Sequence, residues 1–227
     1  MDAINVTSWI AGWTALVFVI LYGVFLSIRA RRLVTARGAL STRILVTGSR
    51  GKSGTVRLIH EILRRNGLPT FGKVTGTTAV ELYPDGTEVP TTRLGAACVN
   101  EMPSAVMRAN QLGATTGVFE CMAVSPSLIE LVSDSHIRPH IVVVPTIRLD
   151  HLEEEGLDEV SIARSIVDSV GKPGTLVVGV QQPEILEFFR ATCRERGITL
   201  VEAVPRLGQP VVPGHHPTNV AVALAVS

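Results

Sequence analysis

The stretch "VTGSRGKSGT", residues 46–55, sets three glycines, a lysine and two serines directly behind a short apolar run. Such a turn, followed by a helix N-terminus, points backbone N–H groups at an anion. Lys52 adds a positive charge for the outer phosphates of a nucleotide, and the Ser53 hydroxyl suits Mg²⁺. The candidate ATP contacts are therefore Gly48, Ser49, Arg50, Gly51, Lys52, Ser53 and Gly54. The long phosphate-loop pattern places a glycine where Val46 stands, so this loop is a shortened one. The competing reading is a plain strand–turn–helix whose glycines only ease the turn.

A Mg·ATP site needs a carboxylate for the metal. Glu120 closes the otherwise apolar run "TGVFE". Burying a charge there is costly unless it is paired or bound to a cation, so metal ligation and a structural salt bridge compete. Asp150 and His151 follow another apolar run, "HIVVVPT". The histidine can ligate a metal or take a proton, or the pair can be a helix cap beside a surface histidine. Glu153, Glu154 and Glu155 read as a solvated acidic turn. In "GKVTGTT", residues 72–78, Lys73, Thr75 and Thr77 either face phosphate or metal or belong to a plain hairpin.

These residues need elements to hold them. Helical spacing predicts helices over residues 55–66, 101–112, 127–135, 157–170 and 183–196, the last started by Pro183 and stopped by Gly197. Short apolar strands alternate with them, which predicts an α/β fold: a mostly parallel sheet covered by helices on both faces. Residues 217–227 start like a helix, with Pro217 or Thr218 near the first turn. That helix reaches the last residue without a cap, as a fragment of a longer chain would.

At 227 residues the chain fits one α/β domain with an appendage, and its net charge of +1 argues against a nucleic-acid partner. Cys98, Cys121 and Cys193 have no metal spacing, so buried thiols in a reducing compartment are expected. Residues 9–28 carry no charge, and as a helix they would span the ~30 Å hydrocarbon layer of a bilayer. Arg29, Arg31, Arg32 and Arg37 follow, so the positive-inside rule leaves the N-terminus outside and the rest in the cytoplasm. A cleaved signal peptide would carry its charges on the other side of a shorter run. The expected plan is a single-pass anchor over residues 1–28, a basic connector over 29–42 and a nucleotide-binding domain over 43–227.

In order and spacing, "VTGSRGKSGTVRLIHEIL", "GKVTGTT", "FECMAVSP" and "LDHLEEEG" resemble the poly-γ-glutamate synthase ligase subunits of the CapB/PgsB type. Those subunits are similar to the central ATP-binding domain of Mur ligases and folylpolyglutamate synthases, and they also begin with a membrane segment. The resemblance covers roughly residues 43–227, and "ECMAVSP" is its most specific piece. It implies a P-loop-type fold and an acid–amino-acid ligase that uses ATP and Mg²⁺. A carboxylate of the poly-γ-glutamate chain becomes an acyl phosphate, and the amine of glutamate displaces the phosphate. Lys52 and His151 would be catalytic, Ser53, Thr77, Glu120 and His151 would ligate metal, and Asn219 in "HHPTN" would contact adenine. The resemblance further implies other membrane subunits of a capsule synthase as partners, an oligomer, and a further domain beyond Val226. Many Mur ligases carry a carbamylated lysine after the DH histidine, whereas this sequence has Ala163 and Arg164 there. Two rivals are a membrane-anchored P-loop ATPase or kinase assisting polymer export, and a non-catalytic ATP-binding fragment.

Overall fold

The computed structural model describes residues 3–76, 78–93, 95, 97–123, 125–148, 159–171 and 174–227. Among these, eight strands form one sheet: β1 (Thr42–Val46), β2 (Thr70–Val74), β3 (Val80–Leu82), β4 (Glu88–Pro90), β5 (Thr116–Glu120), β6 (Ile141–Val144), β7 (Thr175–Val178) and β8 (Thr199–Glu202). Their order is β4-β3-β2-β5-β1-β6-β7-β8. From β2 to β8 across the sheet the strands are parallel, and β3 and β4 return antiparallel at one end. The helices are α1 (Ala3–Ala39), α2 (Lys52–Arg65), α3 (Glu101–Gln111), α4 (Pro126–Glu130) running into a π-helical turn Leu131–Ile137, α5 (Glu159–Asp168), α6 (Pro183–Arg196) and α7 (Pro217–Val226).

The period of two along each strand sorts the core into two layers. Leu45, Phe71, Phe119, Val142, Val144, Leu176 and Val178 face one way and pack with α3, α5, α6 and the end of α1. Ile44, Val46, Val118, Val143 and Val177 face the other way and pack with α2 and α7. Both faces are therefore covered, as continuous apolar strands require. Helix α6 has the predicted bounds: Pro183 lies in its first turn, and Gly197 takes the left-handed conformation that ends it.

Three features depart from the sequence reading. The segment "ELYPDGTEVP" makes the β3–β4 hairpin, in which Gly86 has φ +92° and Asp85 Oδ1 accepts the Thr87 N–H at 2.8 Å. The helix expected over residues 127–135 is a short α-helix that widens into a π-turn ending at Arg138, the sole described non-glycine residue with positive φ. Of the cysteines, Cys121 and Cys193 are buried, but Cys98 is exposed.

Helix α1 runs unbroken from the apolar stretch through residues 29–39 of the segment read as a connector. Its Trp9–Ala39 stretch is long and apolar enough to cross a membrane, and none of its most apolar window is buried within the chain. Its last turns behave differently. Ala36 and Leu40 are buried in the core, and Arg37 Nη1 donates to Ser135 O at 2.7 Å. Arg43 Nη1 in turn donates to Arg37 O at 3.0 Å and Leu40 O at 2.7 Å.

Two buried imidazoles make the fold sensitive to acid. Burial pushes His60 and His136 below the ordinary histidine value. A group with a lowered folded pKa binds its proton more readily when unfolded. Stability is thus fully present above ~6.5 and falls as the pH drops from there toward the folded pKa. The unfolding free energy read from urea titrations is expected to fall from about pH 7 to about pH 5.5, by at most about 1.4 kcal/mol per pH unit for each imidazole. His60→Gln should flatten that slope, and an unchanged slope would remove His60 from the account.

Candidate functional site

Strand β1 is the switch point of the sheet, with β5 on one side and β6 on the other. Ligands of open α/β sheets collect in the crevice outside the carboxyl ends at such a point. The chain leaving Val46 enters this crevice as the glycine-rich loop. Gly48 has φ +107° and Gly51 φ +86°. A Cβ on Gly48 would lie 2.8 Å from Thr146 O, and one on Gly51 would lie 2.6 Å from Asn219 Oδ1. Conformation thus demands glycine at both positions, and at Gly48 the backbone carbonyl leaves no room for a Cβ.

The loop is stitched to the segment after β6. Thr47 N–H donates to Val143 O at 2.9 Å and Ser49 N–H to Thr146 O at 3.0 Å. Arg50 pairs with Thr146 in an isolated bridge. Ser49 Oγ donates to Arg148 O at 2.6 Å and accepts from Arg148 N–H at 3.1 Å. Helix α2 opens at Lys52, and its cap residue, Gly51, has no side chain to satisfy the first N–H groups. Those groups and the helix dipole favour an anion at the loop. Lys52 Nζ donates to Gly48 O at 2.6 Å and Ser49 O at 3.2 Å, so its ammonium lies over the loop.

Glu120 ends β5 beside Val46 in register and is 2% exposed. Ser53 Oγ lies 2.9 Å from Glu120 Oε1 and 3.1 Å from Oε2, and Thr75 N–H donates to Oε2 at 2.8 Å. Among the described residues, no arginine or lysine forms an ion pair with it. The salt bridge weighed as an alternative therefore has no partner there. A buried carboxylate without a cation is costly, and adjacent carboxylate and hydroxyl oxygens suit a hard divalent ion such as Mg²⁺. Thr77, Asp150 and His151 lie outside the described residues. Among the described residues no group of three or more His, Cys, Asp or Glu forms a metal cluster.

The loop, Thr75, Gly76, Glu120 and Cys121 line a cleft of about 460 Å³. Burial pushes the Cys121 thiol up to about 11, which leaves it an inert wall. Asn219, in the first turn of α7, reaches the loop at Gly51 across 168 residues of sequence, counted from 51 to 219. Beside it His216 caps α7, its Nδ1 accepting from Thr218 N–H at 3.3 Å. His216 and Thr218 border a second cleft of about 470 Å³ with Thr146, Arg148 and Gln181.

Of the two readings of Lys73, the hairpin one holds, since β2 turns back antiparallel into β3. The lysine lies in β2, 1% exposed, and its ammonium is taken up by protein groups. Its Nζ donates to Thr91 Oγ1 at 2.6 Å and sits 3.5 Å from Glu101 Oε2 and 4.0 Å from Glu81 Oε1. Glu101 also holds Arg93 at 2.7 Å, whose Nη2 is 3.5 Å from Thr75 O. Sequence reasoning missed Arg93 and Glu101; Glu101 at a helix start carried the only signal. Ala163 points into the core, and the Arg164 guanidinium stacks 5.7 Å over the Phe188 ring.

A shortened loop opening a helix at the switch point of a largely parallel sheet defines a P-loop-type α/β domain. Residues 46–202 match the model of the Mur ligase middle domain. The chain belongs to that family. It is 32% identical over 169 residues to the PGA synthase CapB of Bacillus subtilis (strain 168), covering 73% of this chain and 42% of that protein. It is 29% identical over 191 residues to the capsule biosynthesis protein CapB of Bacillus anthracis, covering 82% and 40%. The matches thus span less than half the length of either relative. A bifunctional folylpolyglutamate synthase/dihydrofolate synthase solved with Mn, AMPPNP and L-glutamate superposes with a TM-score of 0.66 at 19% identity, over 87% of this chain and 56% of that one.

Proposed function

We propose that this chain is the nucleotide-binding part of an ATP-dependent amide ligase that extends poly-γ-glutamate, held at the cytoplasmic face of the cell membrane by α1. The observation that carries this reading is Glu120: a buried carboxylate that touches Ser53, beside the loop, with no ion pair among the described residues. The names of the CapB relatives supply the polymer.

In this reading the loop N–H groups and Lys52 hold the β- and γ-phosphates of ATP. Asn219, set against the loop at Gly51, meets the nucleoside. Ser53 and Glu120, joined by Thr77 and His151, would hold Mg²⁺, which when bound neutralises the phosphate oxygens. A carboxylate oxygen of the growing chain bonds to the γ-phosphorus as the bond to the ADP oxygen breaks. The glutamate amine then bonds to the acyl carbon, phosphate leaves, and the amine sheds a proton. Charge builds on the transferring phosphoryl group, so the work of the site is positioning and electrostatics.

The test is ADP release by the longest polypeptide of this reading frame, with poly-γ-glutamate primer present. Release should depend on added glutamate. Release at the same rate without glutamate would favour the ATPase reading and overturn the ligase.

A further inference from the structure

The charge-free stretch of α1 ends at Ile28, but the helix does not. It continues to Ala39 and is fixed to the domain by Ala36, Leu40 and the Arg37 and Arg43 hydrogen bonds. At ~1.5 Å per residue, Arg31 and Arg32 lie ~4–6 Å beyond Ile28. The headgroup layer on one side of a bilayer is roughly 5–8 Å thick. With residues 9–28 in hydrocarbon, these two arginines stand at headgroup depth. At that level α1 and α3 leave a groove of about 700 Å³, walled by Ile28, Arg31 and Arg32 on one side and Ser104, Met107 and Gln111 on the other.

The groove combines opposite chemistries. Ile28 and Met107 are apolar, while Arg31, Arg32, Ser104 and Gln111 can donate hydrogen bonds to an anion. Arg108, also at the groove, is already engaged by Glu81 at 3.0 Å. Arg31 and Arg32 have no carboxylate partner among the described residues. We propose that the groove is a binding site for the headgroup of an acidic phospholipid, its phosphate on Arg31 and Arg32 and its first methylenes over Ile28 and Met107. The site rests on reading α1 as a membrane anchor.

The full chain is first floated with phosphatidylcholine vesicles at high salt. A chain that does not float sinks the anchor and the groove together. A chain that floats is then purified in neutral detergent, and native mass spectrometry compares its retention of phosphatidylglycerol and phosphatidylcholine. Phosphatidylglycerol should be retained roughly 20- to 30-fold more strongly, since each basic residue at an anionic surface contributes about fivefold. Arg31→Gln/Arg32→Gln should abolish the preference. Ser104→Tyr, which narrows the groove without touching its charge, should abolish it as well. Equal retention of the two lipids, or wild-type preference in the double variant, overturns the proposal. A preference lost in the arginine variant but kept in Ser104→Tyr overturns it too, leaving only diffuse attraction. So does displacement of the lipid by soluble poly-γ-glutamate, which would give the groove to the polymer.

Discussion

Glu120→Gln should weaken nucleotide binding in Mg²⁺ by at least ~10-fold while leaving binding in EDTA unchanged or tighter. The neutral amide keeps the size of the carboxylate and can still accept from Ser53 and the Thr75 N–H. What it loses is the charge that offsets a divalent cation, and that same loss removes one repulsion from the phosphates. The stability readout has an unusual sign. Because Glu120 is buried without an ion pair among the described residues, neutralising it should leave the Tm of the metal-free protein unchanged or raised. A carboxylate serving only structure predicts the reverse. Calorimetric titration with and without Mg²⁺, together with a melt in EDTA, separates the two. A lowered Tm with an unchanged Mg²⁺ dependence would end the metal assignment.

Lys52→Ala should lower ATP affinity about 10- to 100-fold, the worth of a charge-assisted hydrogen bond to a phosphate. The fold should hardly notice. Among the described residues the ammonium hydrogen-bonds the carbonyls of Gly48 and Ser49, and its stem is half-buried at the cleft. Lys52→Arg should recover only part of the loss, because a planar fork cannot point its donors where a compact ammonium does. Calorimetry reads both variants, and ATP affinity unchanged in Lys52→Ala would move the nucleotide elsewhere.

Legibility in the sequence followed the strength of local signals. Five of the six parallel strands were readable because each is a short apolar run, and α6 because Pro183 and Gly197 mark its ends chemically; β2, with Thr70, Gly72 and Lys73 inside it, was not read as a strand. The β3–β4 hairpin was not read. Its strands are three residues each, too short for alternation to stand out, although Pro84-Asp85-Gly86 is a turn signal. The connector was taken to begin at Arg29 because charge appears there. Charge ends an apolar run without ending a helix, and arginine, leucine and alanine all sustain one. Lys73 was misleading for a different reason. Glycine, lysine and threonine in one string imitate a phosphate loop, and nothing local reveals that Glu81 and Glu101 wait on neighbouring elements. Asn219 reached the candidate set only through resemblance, since no local pattern brings it to Gly51.

The two outermost strands have a consequence for how copies of this chain can meet. An open sheet exposes rows of unpaired backbone groups at its borders, and these invite edge-to-edge aggregation. Here both borders are blunted. At one, β4 is three residues long, ends in Pro90, and carries Glu88 tied to Arg57 across 2.9 Å. At the other, β8 is four residues long and ends in Glu202, whose Oε1 accepts from Arg190 Nε at 2.7 Å. Proline withholds a donor, and the ion-paired glutamates would have to shed their partners before another strand could dock. Continuing the sheet from one molecule into the next is therefore disfavoured at both borders, and any contact between copies falls to other surfaces.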